Sequence, residues 1–359
     1  MKAAVLKAFG HPLEIMEWPD PQLGTGEVLV EVKYAPVLPY MEEVISGKRQ
    51  YLLEPPLVPG AGAVGRVLQV GPDATVLSPG DWVLCDATVR ARDNPLFPDV
   101  ALQGLSARGE GGLILQKYFR DGSFAEKIRV PTECVIPLGA VDASSAHFWC
   151  AMGTLLVPFG GLLAGSLQPG ETVLISGATG NFGSSAVAVA LAMGAGAVVT
   201  PGRNVAMLEA LVARFGHRVK PVQLTGNAIM DQENMMAVAG PVDLVLDILP
   251  PSVPSEVSRN AVLTTRPYGR AVLMGGVGML GGPGLELPYP WIMRNNITLR
   301  GAWMYSADTP GKLVRLVKSG QLNLQQWRVT KFPLSQIDAA LHHAAIEKEP
   351  FTFTVVEPY

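Results

Sequence analysis

The most specific chemical signal in the sequence is a glycine-rich turn within residues 172–183, TVLISGATGNFG. The apolar run 172–176 predicts a buried strand, and the residues after the turn predict a helix over 182–193, whose first N–H groups can bind a pyrophosphate. Gly180 lets the backbone approach phosphates, and Gly183 allows close packing of helix and strand. Ala178 replaces the first glycine of the usual G-x-G-x-x-G pattern, so a turn without a ligand stays open as an alternative.

The residues after the next predicted strand, 197–200, indicate which dinucleotide is bound. An NAD site usually carries Asp or Glu here to bind the ribose 2′-hydroxyl, but residues 200–204 are TPGRN, with no acid. Arg203 can pair bidentately with a 2′-phosphate, and Asn204 can add a hydrogen bond. The pattern favours NADP(H) over NAD(H). An ordinary solvated arginine is the alternative for Arg203.

The elements around this turn predict an α/β domain. Strands alternate with helices from about Ser144 onward, which is typical of a doubly wound parallel sheet. The strands are predicted over 172–176, 197–200, 242–248 and 270–275, and the helices over 144–164, 182–193 and from Arg203 to Phe215. Beyond residue 299 the pattern predicts one more helix, 309–319, and a closing strand, 351–356, which we expect to return to the first domain.

The first 145 residues are predicted to be β-rich. Short apolar runs at 27–32, 63–70 and 81–84 are separated by turn signals rich in Gly and Pro. Residues 47–59 and 89–112 show little periodicity and predict loops or extended lobes.

Composition excludes several classes of protein. The chain has 359 residues, 48% of them hydrophobic and 16% charged, which indicates a folded chain of two domains. The net charge of −3 gives no electrostatic basis for a nucleic-acid or membrane partner. With 3 cysteines and no apolar signal segment in the first residues, we expect a cytoplasmic protein without disulfides.

A series of motifs in order along the chain resembles the medium-chain dehydrogenase/reductase superfamily. The motifs are MKAAV at 1–5, GEVLV at 26–30, VPGAGAVGRV at 58–67, GDWV at 80–83, DGSFAE at 121–126 and CAMGT at 150–154. The turn ATGNFG at 178–183 resembles the quinone oxidoreductase branch. The resemblance implies a GroES-like β-rich catalytic domain, residues 1–145 and 300–359, and a Rossmann domain, residues 146–299. It also implies a homodimer or tetramer.

This sequence departs from the zinc-dependent members of that superfamily. At the positions of their catalytic zinc ligands it carries Leu38 and Met41, then Ala61 and Gly62, and finally Cys150. Catalytic zinc needs three protein ligands with N, S or O donors, so one thiol is not enough. The matching region for the structural zinc lobe, 89–112, contains no cysteine. We therefore predict no metal site.

Without a metal, hydrogen-bond donors must stabilise a developing oxyanion. Tyr40 aligns with the hydroxyl residue that begins the proton relay in zinc-dependent relatives, and a phenol can donate to a substrate oxygen. Its alternative role is packing. Cys150 and His147 are further catalytic candidates, but a buried cysteine usually behaves as a small hydrophobe and a lone helix histidine is often structural.

The resemblance also implies which residues contact the cofactor. Thr154 matches a threonine that contacts the nicotinamide, and the backbone at 274–276 and 301–304 falls where the family meets the same ring. The candidate cofactor-binding residues are Thr154, Thr179, Gly180, Asn181, Phe182, Gly183, Arg203, Asn204, Met274, Gly275, Gly276 and Trp303.

These observations support one leading hypothesis and two alternatives. The leading one is a zinc-independent NADPH-dependent oxidoreductase that transfers hydride to an activated alkene (an enone or quinone) or a ketone of a small to medium apolar substrate. One alternative is a metal-free carbonyl reductase or alcohol dehydrogenase. The other is a non-catalytic NADPH-binding sensor or structural protein.

Overall fold

A computed structural model describes residues 1–93, 95–347 and 349–359. The chain divides into two compact units. The first comprises Met1–Gly153, Leu324–Glu347 and Thr352–Tyr359, and the second comprises Thr154–Asn323 and a short segment that ends at Phe351.

Strands dominate the first unit and alternate with helices in the second. The strands are β1 (Lys2–Val5), β2 (Glu14–Glu17), β3 (Glu27–Val37), β4 (Ala63–Val70), β5 (Trp82–Cys85), β6 (Thr88–Arg90), β7 (Val100–Leu102), β8 (Ser106–Ala107), β9 (Lys127–Pro131), β10 (Val135–Pro137), β11 (Thr172–Ser176), β12 (Ala197–Gly202), β13 (Val219–Gln223), β14 (Val242–Asp247), β15 (Thr265–Leu273), β16 (Thr298–Gly301), β17 (Arg328–Pro333) and β18 (Thr352–Glu357). The helices are α1 (Met41–Ile45), α2 (Gly109–Tyr118), α3 (Met152–Ala164), α4 (Asn181–Ala192), α5 (Val205–Phe215), α6 (Ala228–Ala239), α7 (Ser255–Val262), α8 (Tyr289–Arg294), α9 (Thr309–Lys318) and α10 (Ile337–Ile346).

The first unit is built around the long strand β3. Its main sheet follows the order β10-β5-β4-β3-β18-β17, and β9 also pairs with β3. The closing strand β18 runs antiparallel to β3, with Val355 opposite Pro36. Inward-facing residues of these strands, such as Val30, Val32 and Val64, are fully buried, so burial of apolar side chains fixes the register.

Residues 89–112, predicted as loops or extended lobes, include short strands and the start of a helix in the part that the structure describes. Strands β6, β7 and β8 form a small antiparallel sheet, and α2 follows directly. The prediction was wrong here because strands of two or three residues are too short to show a period-two pattern.

The second unit is a parallel sheet in the order β13-β12-β11-β14-β15-β16. Connecting helices pack on the sheet, and the central strands are buried. For example, Leu174, Val199 and Val245 are completely inaccessible to solvent. This arrangement confirms the predicted doubly wound α/β fold.

The unit boundaries lie later in the chain than the sequence predicted. Residues 146–153 group with the first unit because the 3₁₀ segment Ala146–Ala151 packs on β3 and β4. Residues 300–323 group with the second unit because β16 pairs with β15, and the chain leaves that unit only after Asn323. The predicted helix 144–164 is accordingly a 3₁₀ segment followed by α3.

One segment, Ala146–Ala164, is long and apolar enough by composition to cross a membrane. In the folded protein 67% of it is buried, as in the core helix of a globular domain.

Candidate functional site

The glycine-rich turn joins β11 to α4 as predicted. The Gly180 N–H donates to the Gly177 carbonyl oxygen at 3.0 Å, which closes the turn. Gly180 is exposed and occupies the position before α4, where it has no side chain to cap the first N–H groups of the helix. These N–H groups and the positive end of the helix dipole form a site suited to a phosphate.

Close packing explains why Gly183 must be glycine. A Cβ on Gly183 would lie 1.9 Å from the carbonyl oxygen of Gly177, whereas a Cβ on Gly180 would lie 3.4 Å from the same atom. Gly183 therefore holds α4 against the end of β11, and Gly180 leaves room above the turn.

The neighbouring strand brings Arg203 to the same edge of the sheet. Strand β12 runs parallel to β11, with Val199 beside Leu174, and ends at Gly202 next to the side chain of Thr179. Arg203 is exposed, and its guanidinium makes no hydrogen bond or ion pair with any residue that the structure describes. It has all its donors available for an anion.

Asn204 has a role that the sequence analysis missed. Its side-chain oxygen accepts a hydrogen bond from the Met207 N–H at 3.3 Å and so caps α5. Asn is a favoured residue at this position, so the signal was present in the sequence. The cap anchors the loop that carries Arg203.

Two further strand ends lie at the same edge. Met274 donates its N–H to the Asp247 carbonyl at 2.9 Å, and Gly276 donates to the Leu249 carbonyl at 2.8 Å. A Cβ on Gly275 would lie 2.6 Å from the Leu249 carbonyl oxygen. Position 275 therefore needs glycine for the 274–276 segment to pass this close to Leu249. Trp303, which follows β16, is 49% exposed.

The candidate cofactor residues thus gather in one place. Except for Thr154, all of them follow the carboxyl ends of β11, β12, β15 or β16, and in a parallel sheet these ends share one edge. Thr154 is buried on α3 and accepts a hydrogen bond from the Ser185 hydroxyl of α4 at 3.1 Å. This contact ties α3 to the helix that the glycine-rich turn opens.

Asp247, at the end of β14, is a buried carboxyl that the sequence analysis did not single out. The Ser258 hydroxyl donates to its Oδ2 at 2.8 Å. Burial raises the pKa of the Asp247 carboxyl, although hydrogen bonds from Ser258 and Ser176 oppose this rise. The only signal in the sequence was an acid at the end of an apolar strand.

In the first unit, Tyr40 belongs to a cluster with Arg49 and Tyr51. Tyr40 is the residue before α1, and the Arg49 guanidinium lies over its ring at 4.0 Å. Burial raises the pKa of the Tyr40 phenol, so this group stays protonated over the physiological range. Sequence patterns predicted a role for Tyr40 but none for its neighbour Arg49.

The other two catalytic candidates lie in apolar surroundings. His147 packs between Tyr34 and Phe148, with ring centroids 5.7 and 4.2 Å away. Burial, assisted by Lys331, lowers the pKa of His147. Cys150 is 2% exposed, and burial raises the pKa of its thiol. Neither environment activates a proton donor or a nucleophile.

Of the five positions that match zinc ligands in relatives, only Cys150 carries a side chain that commonly binds zinc. Leu38, Met41 and Cys150 are each buried, while Ala61 and Gly62 offer no donor atom from a side chain. Among residues 1–93, 95–347 and 349–359, no group of three or more His, Cys, Asp or Glu is close enough to hold a metal ion.

The chain is similar to several known oxidoreductases. Residues 24–140 match the alcohol dehydrogenase GroES-like domain. Over 222 residues, 61% of this chain, it is 33% identical to the acryloyl-coenzyme A reductase of Metallosphaera sedula, and the alignment spans 63% of that protein. It is 27% identical to the L-threonine 3-dehydrogenase of Streptomyces avermitilis, with 96% of each chain aligned. The chain is therefore similar to oxidoreductases of the medium-chain dehydrogenase/reductase superfamily.

The fold of the chain is also that of a solved alcohol dehydrogenase. The alcohol dehydrogenase of Thermus sp. ATN1 superimposes with a TM-score of 0.81 at 24% identity, over 99% of both chains. The matched GroES-like residues and the parallel sheet confirm the predicted fold class of both units.

Proposed function

We propose that this chain is a medium-chain dehydrogenase/reductase, an NADP(H)-dependent oxidoreductase that works without zinc and reduces an alkene conjugated to a carbonyl group. The observation that carries the proposal is the exposed Arg203 after the end of β12, beside the turn that opens α4.

The residues at this edge fit a phosphorylated dinucleotide. The N–H groups at the start of α4 suit the pyrophosphate, and Arg203 suits a 2′-phosphate. An NAD site would need a carboxylate where residues 200–204 supply none. Reduced nicotinamide supplies a hydride when bound. By the family resemblance, Met274, Gly275, Gly276 and Trp303 would contact its ring.

The chemistry proposed for the substrate follows from the residues at the positions that bind zinc in the zinc-dependent relatives. Since Leu38, Met41, Ala61 and Gly62 provide no set of zinc ligands, a neutral donor must polarise the carbonyl oxygen. Tyr40 is a protonated phenol suited to that role. A neutral donor is sufficient for a conjugated carbonyl, whereas oxidation of a simple alcohol benefits more from a metal.

The resemblance to an acryloyl-coenzyme A reductase supports the alkene preference, since an acryloyl group is an alkene conjugated to a carbonyl. The relatives named as dehydrogenases support the second candidate, a metal-free carbonyl reductase or alcohol dehydrogenase. The third candidate is a protein that binds NADPH without turnover.

The test is NADPH consumption with 2-cyclohexenone, acryloyl-coenzyme A, a benzoquinone and cyclohexanone, with the products identified. We expect the saturated carbonyl product from the enone or the thioester. Recovery of only the allylic alcohol would show carbonyl reduction, and tight NADPH binding with no turnover on the panel would support the sensor role.

We also propose that two copies associate through β16. This strand is at the edge of the parallel sheet, and all four of its residues are exposed. Exposed apolar side chains lie on this strand and on elements connected to it: Leu299 of β16 is 37% exposed, Met293 of α8 is 56% exposed, and Tyr268 of β15 is 72% exposed. An edge strand with such neighbours is a template for pairing with a second strand.

A further inference from the structure

Arg49 is enclosed by two tyrosines in the first unit. Its Nε donates to the Tyr51 hydroxyl oxygen at 3.0 Å. Its guanidinium also lies over both rings, 4.0 Å from the centroid of Tyr40 and 5.5 Å from that of Tyr51. The two rings meet edge to face, with centroids 6.3 Å apart. These three residues, the Tyr40–Arg49–Tyr51 cluster, all contact one another.

The charge of Arg49 is held in place. Its side chain is only 16% exposed, and Nη1 donates to Glu43 Oε2 at 2.7 Å. Burial alone would lower the pKa of Arg49, but Tyr51, Tyr40 and Glu43 together raise it. A largely buried guanidinium with a carboxylate partner is pre-organised, so it loses little freedom when it holds another group.

This arrangement determines what the Tyr51 hydroxyl can do. Its oxygen accepts from Arg49, and its hydrogen has no acceptor among the residues that the structure describes. A phenol that accepts from a cation is a stronger donor, since hydrogen bonds in a chain polarise one another. Tyr51 is half-buried, so its side chain remains partly accessible to solvent.

We propose that Tyr51, positioned by Arg49, donates a hydrogen bond to the carbonyl oxygen of the substrate and acts together with Tyr40. The inference rests on the proposed reductase function and adds a second donor to it. Tyr51 is the catalytic residue in this assignment. Arg49 is a positioning residue that acts through the Tyr51 oxygen.

The test is a double-mutant cycle on enone reduction by the full-length protein. Tyr51→Phe keeps the ring and removes the hydroxyl, and we expect kcat to fall about 100-fold, as for loss of one oxyanion donor. Arg49→Ala should lower kcat about 10-fold. The double variant should be no slower than Tyr51→Phe, because Arg49 has nothing left to position. Tyr289→Phe, at an exposed site, serves as the control.

Chemical rescue separates positioning from a general structural effect. Millimolar methylguanidinium should restore activity to Arg49→Ala but not to the double variant, and equal NaCl should restore neither. NADPH affinity, which depends on the second unit, should be unchanged in all variants. An unchanged midpoint of denaturant unfolding reports that the variants fold.

Three results would overturn the inference. Full activity of Tyr51→Phe would remove Tyr51 from its role. Additive losses in the cycle would show that Arg49 does not act through Tyr51, and so would a rise in KM confined to anionic substrates in Arg49→Ala. The last would instead make Arg49 a substrate-binding cation. Absence of turnover by the unaltered protein on the whole substrate panel is a separate result that contradicts the proposed function.

Discussion

Gly183 of α4 approaches Gly177 so closely that a Cβ on Gly183 would lie 1.9 Å from the Gly177 carbonyl oxygen. Gly180, three residues earlier, has ordinary clearance of 3.4 Å to the same oxygen. The two glycines therefore have different functions. Gly183 packs the helix against the strand end, and Gly180 keeps the surface of the turn open.

Alanine at each glycine should separate these functions. Gly183→Ala forces backbone against backbone and should destabilise the protein by about 1–3 kcal/mol, measured by denaturant unfolding. Gly180→Ala should unfold at the same denaturant concentration as the parent but bind NADPH more weakly, measured by fluorescence titration. Equal stability of the two variants would contradict the packing role of Gly183.

The cysteines should be unreactive in the folded protein. Cys85, Cys134 and Cys150 are 1%, 3% and 2% exposed, and burial raises the pKa of the Cys85 thiol to about 12. A disulfide reagent should label no thiol in native buffer and all 3 in denaturant.

For Cys150 the same reasoning extends to catalysis. Cys150→Ala should keep enone reductase activity within about threefold, since a buried neutral thiol supplies packing only. Rapid labelling of the native protein, with loss of activity, would restore Cys150 as a reactive residue.

His147 should make stability depend on pH. Because burial lowers its folded-state pKa below the usual 6.5, the unfolded chain takes up a proton first as the pH falls. Stability from the neutral ring is present above about pH 6.5 and is lost as the pH falls toward the folded-state pKa. His147→Phe should flatten the curve of unfolding free energy between pH 7 and 5. The exposed His342→Gln serves as a control, and an unchanged slope in His147→Phe would count against this account.

The edge strand β16 provides a test of assembly. Leu299→Asp should shift a dimer toward monomer in analytical ultracentrifugation at micromolar concentration, because it places a charge on the pairing edge. The control Ile229→Asp changes an exposed apolar residue on α6 and should leave the dimer intact. A parent protein that is already monomeric would contradict the proposed association.

Local patterns predicted the elements that carry the dinucleotide site. The apolar run before the glycine-rich turn predicted β11 at its observed bounds, and the helix after the turn is displaced by one residue from 182–193 to Asn181–Ala192. The strand predicted over 63–70 also has the observed bounds of β4. These elements combine a regular pattern with clear turn residues at their ends.

Elements without a clear pattern were missed. No strand or helix was predicted between Phe215 and Val242, where β13 and α6 lie. The burial pattern of β13 is not alternating, because only Val219 and Val222 of its residues are buried. On α6, Met230 and Met236 are exposed and Met235 is buried. Neither β13 nor α6 therefore shows the period of buried residues that is typical of a strand or a helix.

The contacts within the site depended on long-range structure. Ser185 is 31 residues from Thr154, so their hydrogen bond follows from the packing of α4 on α3 and not from any local motif. The Tyr40–Arg49–Tyr51 cluster is closer in sequence, but α1 and the turn after it decide that Arg49 reaches both rings. The sequence shows an arginine between two tyrosines, but their spacing alone does not predict that the arginine contacts both rings.

The most direct test of the central claim is a binding titration with NADPH and NADH, with zinc content measured on the same sample. We expect NADPH to bind more tightly, with no stoichiometric zinc. Arg203→Ala should weaken NADPH binding about 10- to 100-fold and leave NADH binding unchanged, because it removes a charge-assisted contact to the 2′-phosphate. Arg315→Ala, at another exposed arginine of the second unit, is the matched control. Equal or tighter NADH binding, or one zinc per chain, would contradict the account.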